Sequence, residues 1–397
     1  MRASFDVDVI VAGAGVGGAA LALALAHKYP LRVLVAERRS GPGNVNRGDS
    51  LLPAVTAHLA AWNVIDRAMA AGARSISSME VFHHRAGLLM EARLETPTHP
   101  YLVLPHKDIE RVLAEAALAT SRVEICYGRR ITGLIEEGNR VCGAMIANGS
   151  GSPEPVRARL VVGADGSHST IREHLGIAFP SAPYDHSSFA IDFERPLQYR
   201  DAVRVELHPA GGMLVVPGHG CVGLAALVRN DEEAIFRQGS IEEKASRLRR
   251  RSPLLAECSV FPKSASFYQL SRAHAERYTA RGAVLIGDAA HVTNPVVGQG
   301  MTMAVEDAAA LASHVGPALA VGEAGALLDP RLAAYERERM PRNAASVRWS
   351  HWMSRVYALG PPFGDALVRS VFAFGGSRLG ARLQRRVWSR VAEREGA

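Results

Sequence analysis

The sequence has little with which to build a metal or disulfide scaffold. Its 397 residues include four cysteines, Cys126, Cys142, Cys221 and Cys258, spaced 16, 79 and 37 residues apart, so no C-x-x-C pair occurs. That spacing excludes a zinc ribbon or a thioredoxin-type redox pair, argues against a disulfide framework and fits a reduced, cytoplasmic setting. No metal is expected. Internal repeats and low-complexity tracts are missing too. With 48% hydrophobic and 21% charged residues the chain is of ordinary globular composition, and its length fits two domains. Net charge is lacking over most of the chain. Residues 341–397 hold ten arginines, no lysine and three acids, which is the whole net charge of +7, so the preceding 340 residues are neutral. A neutral body is not a duplex-binding surface, and nucleic acid is not an expected partner.

One long uncharged run is present: VIVAGAGVGGAALALALA, at 9–26, is about long enough to span a hydrocarbon core of roughly 30 Å. Four glycines interrupt it. Gly13, Gly15, Gly17 and Gly18 spell G-x-G-x-x-G between the β-branched VDVIVA and an Ala/Leu-rich helix pattern. Asp6 and Asp8 stand where a secretion signal would carry basic residues, so no targeting segment is expected. LRVLVAER, at 31–38, reads as a second strand ending in Glu37 and Arg38. An acid about 20 residues beyond the glycines is what a dinucleotide site requires. Glycines let backbone N–H groups approach a pyrophosphate, the helix points its positive end at the same anion, and the acid accepts from ribose hydroxyls. A plain Gly-rich turn in a hairpin is the bland alternative.

Further along, HKDIERVLAEAALA at 106–119 has the pattern of an amphipathic helix, and VEICYG, RRITGLIEEG, RVCGAMIANG and ARLVVGADG read as strands. From Pro183 to about Leu270 the pattern changes to alternating strands with one helical stretch, SIEEKASRLRRRS. GAVLIGDAAH then restores a buried strand, and Gly300 opens a helix expected over Met301 to about Val315. The expected fold is α/β: a Rossmann-like nucleotide-binding domain (1–75 with 101–182 and 272–345) interrupted by an antiparallel-sheet substrate domain (76–100 with 183–271), with basic C-terminal helices over 346–397. In the sheet region Val203, Val205 and Leu207 alternate, and GGMLVVP, which contains Val215, is continuously apolar. That suits either an oily pocket or ordinary sheet core.

Three separated stretches, GAGVGG with Glu37, GADGSHSTIR at 163–172 and GDAAHVTNPVVGQGMTMAVEDA at 287–308, carry a family resemblance. Over residues 7–345 the chain resembles the single-component FAD-dependent aromatic hydroxylases, the 4-hydroxybenzoate-hydroxylase-like flavoprotein monooxygenases. The resemblance implies FAD as cofactor, its diphosphate held by Gly13, Gly15, Val16, Gly17 and Gly18. Glu37 would meet the adenosine ribose and Arg47 the pyrophosphate, with Arg38 a further cofactor-binding residue. His106 stands where relatives show Arg or Gln and would touch ribityl or phosphate. Asp288 would bind the ribityl chain and Pro295 would lie against the flavin ring. Gly298, Gly300, Met301 and Thr302 would border its pyrimidine edge, Thr302 standing where Asn is common. Asp165 belongs to the Asp-Gly element between FAD and the nicotinamide approach, with Arg172 as its ion-pair or anchoring partner. His291 would support the flavin loop.

The implied chemistry draws electrons from NADH or NADPH, docked transiently, and adds oxygen to the reduced flavin. A flavin hydroperoxide would then hydroxylate or epoxidise an apolar aromatic or heteroaromatic substrate of quinolone, quinol or polyketide type. No W-x-W-x-I-P stretch occurs, which disfavours halogenation. An isoprenoid reductase and a non-catalytic lipid-binding protein on the same fold are the alternatives. His84, Val205, Val215, Tyr268 and Pro295 are the candidate pocket residues. No base can be assigned among His83, His84, His208, His219 and Tyr268. In the tail, Trp349, Trp352, Met353 and Val356 share one helical face, which suits either packing on the body or peripheral contact with an anionic membrane.

Overall fold

The structure is a computed structural model that describes residues 5–43, 48–94, 99–149, 151–196, 199–218, 220–295, 298–358 and 370. Along the chain run β1 (Val7–Ala12), α1 (Val16–Lys28), β2 (Val33–Glu37), β3 (Gly48–Leu51), α2 (Pro53–Ala61), α3 (Ile65–Ala70), β4 (Arg74–Ser75), β5 (Ser78–His83), β6 (Gly87–Arg93) and β7 (Leu102–Pro105). There follow α4 (His106–Leu118), β8 (Val123–Tyr127), β9 (Arg129–Glu136), β10 (Val141–Asn148), β11 (Glu154–Gly163), α5 (Thr170–His174), β12 (Ser181–Glu194), β13 (Ala202–Leu207), β14 (Met213–Pro217) and β15 (Cys221–Arg229). The remainder comprises α6 (Glu233–Gln238), α7 (Ile241–Arg251), β16 (Val260–His274), β17 (Thr279–Ala280), β18 (Ala283–Leu285), β19 (His291–Val292), α8 (Gln299–Ala320) and α9 (Asp329–Ala358).

The first sheet has strand order β17-β18-β11-β1-β2-β8, and β1 pairs in parallel with both β2 and β11. Central parallel strands are covered on both faces, which is why β1 needs apolar residues at nearly every position. The uncharged run continues into α1, whose residues Gly18 to Ala26 are all buried. It packs against α4 and α8 as well as the sheet, so it is a helix enclosed on all sides rather than a membrane span. Among the described residues no helix is long and apolar enough to cross a membrane.

The second sheet has the order β19-β16-β12-β15-β14-β13-β5-β6. It is not purely antiparallel, because β13 runs parallel to β5, pairing Val205 with Val81. The chain reaches that pairing after a long excursion through the nucleotide domain, which is the crossover a parallel pair needs. One face of this sheet, with Phe193, Val215 and Val222, forms a separate core with Phe236 of α6 and Leu248 of α7.

Two helices differ from expectation. The one expected from Met301 begins at Gln299, because Gly298 adopts φ +64° and turns the chain into the helix, and it continues to Ala320. The helix α9 runs unbroken through residue 345, without a joint before the basic tail. It buries Val347, Ser350 and Ser354, while Trp349 and Trp352 are about half exposed, at 53% and 49%, and stack on each other. The packing alternative for the apolar face is therefore not what the structure shows: Trp349 and Trp352 face outward, and a face with Ser350 and Ser354 packs on the body. The tail beyond 358, residue 370 apart, and the side chain of Val356 lie outside the described residues.

Candidate active site

At the end of β1 the chain turns at Gly13, with φ +96°, and a Cβ there would stand 2.5 Å from the Ala164 carbonyl oxygen. A Cβ on Gly18 would stand 2.0 Å from the Gly13 carbonyl oxygen, so glycine is what lets α1 come down onto the turn. Gly15 is the N-cap of α1, without a side-chain cap, and the first turn holds no acid. Above Gly15 there is room: a Cβ would find only Glu110 Oε1, at 3.9 Å. An uncapped helix start under open space is a ready anion site.

Glu37, buried at the end of β2, spans this loop by accepting from Ala14 N–H and Arg39 N–H, both at 2.8 Å. Burial opposes its charge, yet bonds from the Arg39 side chain and backbone and from Ala14 hold its carboxyl below the usual range. Arg38 is exposed. Arg39 instead closes the corner, donating to Glu110 Oε2 at 3.0 Å, and Glu110 also accepts from Gly43 N–H and lies 3.2 Å from His106 Nε2.

The Asp-Gly element follows β11. Burial pushes the Asp165 carboxyl upward; its Oδ2 accepts from Ile171 N–H at 3.3 Å, and its buried Oδ1 has no partner. Arg172 donates to the carbonyls of Ser167, at 2.8 Å, and Ala289, at 2.9 Å, and lies 3.8 Å over the Phe179 ring. It is an anchor between this loop and the turn at 287–289, and its bonds go to carbonyls rather than to Asp165.

That turn is held from below by a buried charge network. Asp307 of α8, fully buried, accepts from Gly287 N–H at 3.1 Å, Arg339 Nε at 2.8 Å and Asn343 Nδ2 at 2.9 Å, and meets His291 Nε2 at 2.6 Å. Burial works against its ionisation, but His291 and Arg339 outweigh it and its pKa falls to about 2. Asp288 on the same turn is exposed. The start of α8 repeats the pattern of α1: no side-chain cap and no acid in the first turn. Thr302 in that first turn is buried, and its hydroxyl oxygen has no partner.

A cleft open to solvent lies between Pro295 and the second sheet, which contributes Ser188, Val205, Leu214, Ala225 and Leu227. Register explains which residues reach it. Val205 pairs with Leu214 and Leu214 with Ala225, forming one row on the cleft face. Val215 pairs with Arg204 and so points the other way, into the core, which removes it from the pocket. Tyr268 pairs with Ser188 and shares the cleft face. His84 is not brought there: its ring packs 4.4 Å from His83 and 5.2 Å from His208. Burial, then His84 and Arg251, push the His208 imidazole down to about 4, so it is neutral. Asp192 stands two residues beyond Ala190 on the cleft face, across from Gly223, and burial pushes its carboxyl up to about 6.

Residues 6–350 match the family described as FAD binding domain. The chain belongs to the FAD-dependent aromatic hydroxylases. Similar relatives of this hydroxylase include the 6-methylpretetramide 4-monooxygenase of Streptomyces rimosus, 31% identical over 82% of this chain and 78% of the relative. The rifampicin monooxygenase of Streptomyces venezuelae is 30% identical over 86% of this chain and 70% of the relative. The solved structure of Pseudomonas aeruginosa PqsL in complex with 2-aminobenzoylacetate superposes with a TM-score of 0.80 at 26% identity, covering 92% of this chain and 98% of that one. This kinship makes the hydroxylase a flavoprotein monooxygenase and sets aside the reductase and lipid-binding alternatives.

The hydroxylase's own geometry fits FAD: two uncapped helix starts, glycines that hold backbone open, and an orphaned Thr302 hydroxyl. Arg47 and His219 lie outside the described residues. Sequence reasoning missed Arg39, Glu110, Asp307 and Arg339. Glu110 had left a signal, an acid within the buried stripe of an amphipathic helix beside Ile109 and Leu113. Asp307 closes the third motif stretch, where its role was not read.

Proposed function

We propose that this hydroxylase uses NADH or NADPH and oxygen to oxygenate an apolar aromatic or heteroaromatic small molecule of quinolone, quinol or polyketide type. The observation that carries the reading is the cleft: Pro295, from the flavin-binding stretch, meets a sheet face of small and apolar residues, Ser188, Val205, Leu214 and Ala225. A flat apolar ring fits such a slot, which holds no charged lining residue among those described. The activities named for the Streptomyces relatives support the class.

Bound FAD would supply the redox chemistry, taking two electrons from the nicotinamide and activating oxygen. Gly13, Gly15, Gly17 and Gly18 would present backbone N–H groups to the diphosphate, with Glu37 toward the adenosine ribose. Gly298 to Thr302 would direct the positive end of α8 at the pyrimidine edge, where negative charge on the ring is stabilised. Pro295 and the sheet would wall the reacting face, and a substrate seated between them would displace the water there. The Asp192 carboxylate is suited to accept a proton near neutral pH, because an effective base has a pKa close to the working pH.

A panel of quinolones, quinols and aromatic polyketides, followed by substrate-stimulated NAD(P)H oxidation and product mass, tests the reading. A gain of one oxygen with at least one member is expected. NAD(P)H oxidation that no member stimulates, with unchanged masses, would overturn it.

A further inference from the structure

We infer that the C-terminal half of α9 fixes Pro295 at the cleft through a buried polar clamp, making Ser350, Ser354 and His186 positioning residues of the active site. The inference rests on the reading of Pro295 as a wall of the flavin and substrate cleft.

Asn294, immediately before Pro295, is fully buried and held at both ends. Its carbonyl accepts from Ser350 Oγ at 2.6 Å, and its side-chain amide donates to Ser354 Oγ at 3.0 Å. Ser350 and Ser354 lie one turn apart on the same face of α9, which is why one helix can grip one residue twice. Ser354 Oγ in turn lies 2.9 Å from His186 Nε2 on β12, and His186 Nδ1 lies 2.9 Å from the exposed Asp185 carboxylate.

The polarity of the chain follows from the groups themselves. A carboxylate only accepts, so Asp185 takes the Nδ1–H of His186, and in the tautomer this bond selects Nε2 is an acceptor. Ser354 then donates to Nε2, which also lies 3.4 Å from the Asn294 amide nitrogen, and the Ser354 lone pairs accept from that amide at 3.0 Å. Three elements distant in sequence, β12, the segment at 293–295 and α9, close on one another here. The order Asp185, His186, Ser354 is that of a hydrolase triad, but Ser354 has no exposed surface and its proton is committed, so it is no nucleophile. Serine rather than tryptophan on the packed face of α9 is explained by the same bonds.

The experiment compares full-length wild type with S354A, H186F and H186N, each loaded with FAD alone. The visible band of the bound flavin, iodide quenching of its fluorescence and the melting temperature are measured. The clamp predicts that S354A and H186F raise the quenching constant about three- to tenfold and shift the visible band, while H186N, whose amide oxygen still accepts, stays near wild type. S350A, which releases only the carbonyl of Asn294, gives the same direction and serves if S354A does not fold. Lowered melting temperatures with an unchanged flavin band and unchanged quenching would reduce the clamp to a structural contact and overturn the inference. A wild type that binds no FAD would instead sink the reading of the site itself.

Discussion

Replacing Asp307 by Asn tests whether the turn at 287–289 is held by buried charge. The carboxylate faces four donors and has no exposure, and Arg339, itself 3% exposed, keeps among the described residues only Glu306 as an ion-pair partner once it is gone. Removing one side of a buried ion pair costs about 3–5 kcal/mol. A second route gives a similar size. The carboxyl falls from 3.8 to about 2 on folding, nearly two units, or about 2.5 kcal/mol at neutral pH. Because the folded value is the lower one, this stabilisation is complete above pH 3.8 and fades as pH falls toward 2. For a chain of 397 residues the unfolding entropy is about 0.8 kcal/mol/K, so D307N should melt about 3–6 °C below wild type at pH 7.5. Scanning fluorimetry reads this directly. The Gly287 N–H loses its charged acceptor as well, so FAD affinity, by fluorescence titration, should drop about tenfold. A variant with wild-type melting and wild-type FAD affinity would refute the argument that this network supports the flavin turn.

Other perturbations separate folding from binding. G18A should fold poorly, since its Cβ would fall 2.0 Å from a carbonyl oxygen, whereas G15A, with 3.9 Å of clearance, should shift the melting point of the FAD-free protein by only about 1–2 °C and still lose FAD binding. Equal behaviour of the two variants would contradict this. Asp192 is raised in the folded state, so its ionisation is penalised above pH 6 and not below 3.8. D192N should therefore gain about 1–2 kcal/mol in denaturant unfolding at pH 8, after discounting for partial exposure, and the gain should vanish toward pH 4. If Asp192 accepts a substrate proton, the same variant also loses the pH-rate limb near 6; a retained limb assigns it elsewhere. A225F should fill the cleft and raise KM for a multi-ring substrate about tenfold while FAD titration is unchanged, and an unaltered KM would move the substrate away from this sheet face.

The nucleotide half was legible because its constraints are local. Gly13 and Gly18 are required by a backbone turn and a helix approach that span a few residues, so their spacing alone carries the geometry. One residue further from the backbone, legibility fell. Arg38 and Arg39 are neighbours at a strand end, and only their different orientations there send Arg38 to solvent and Arg39 to Glu37 and Glu110. The sheet half depends on the register between paired strands, which the residues of one strand do not state, whether the partner is the next strand, as for β13 and β14, or lies more than a hundred residues away, as for β5 and β13. Val205 and Val215 have the same chemistry and similar surroundings in sequence, yet pairing Val215 with Arg204 turns one to the cleft and the other to the core.

The tail shows the limit most clearly. Apolar periodicity grouped Trp349, Trp352 and Met353 on one face of α9 and left open whether that face packs on the body or meets a membrane, on the premise that the face that matters is the hydrophobic one. The face that packs carries Ser350 and Ser354 because the surface it meets offers Asn294 and His186, and buried polar groups must be paired. A carbonyl and an amide at 294 left facing an apolar helix would each lose a hydrogen bond, a cost of about 1–3 kcal/mol apiece, comparable to what burying one tryptophan returns. Polar complementarity can therefore decide the rotation of α9. No single-segment pattern contains that information, since the partners lie in β12 and in the segment before α8.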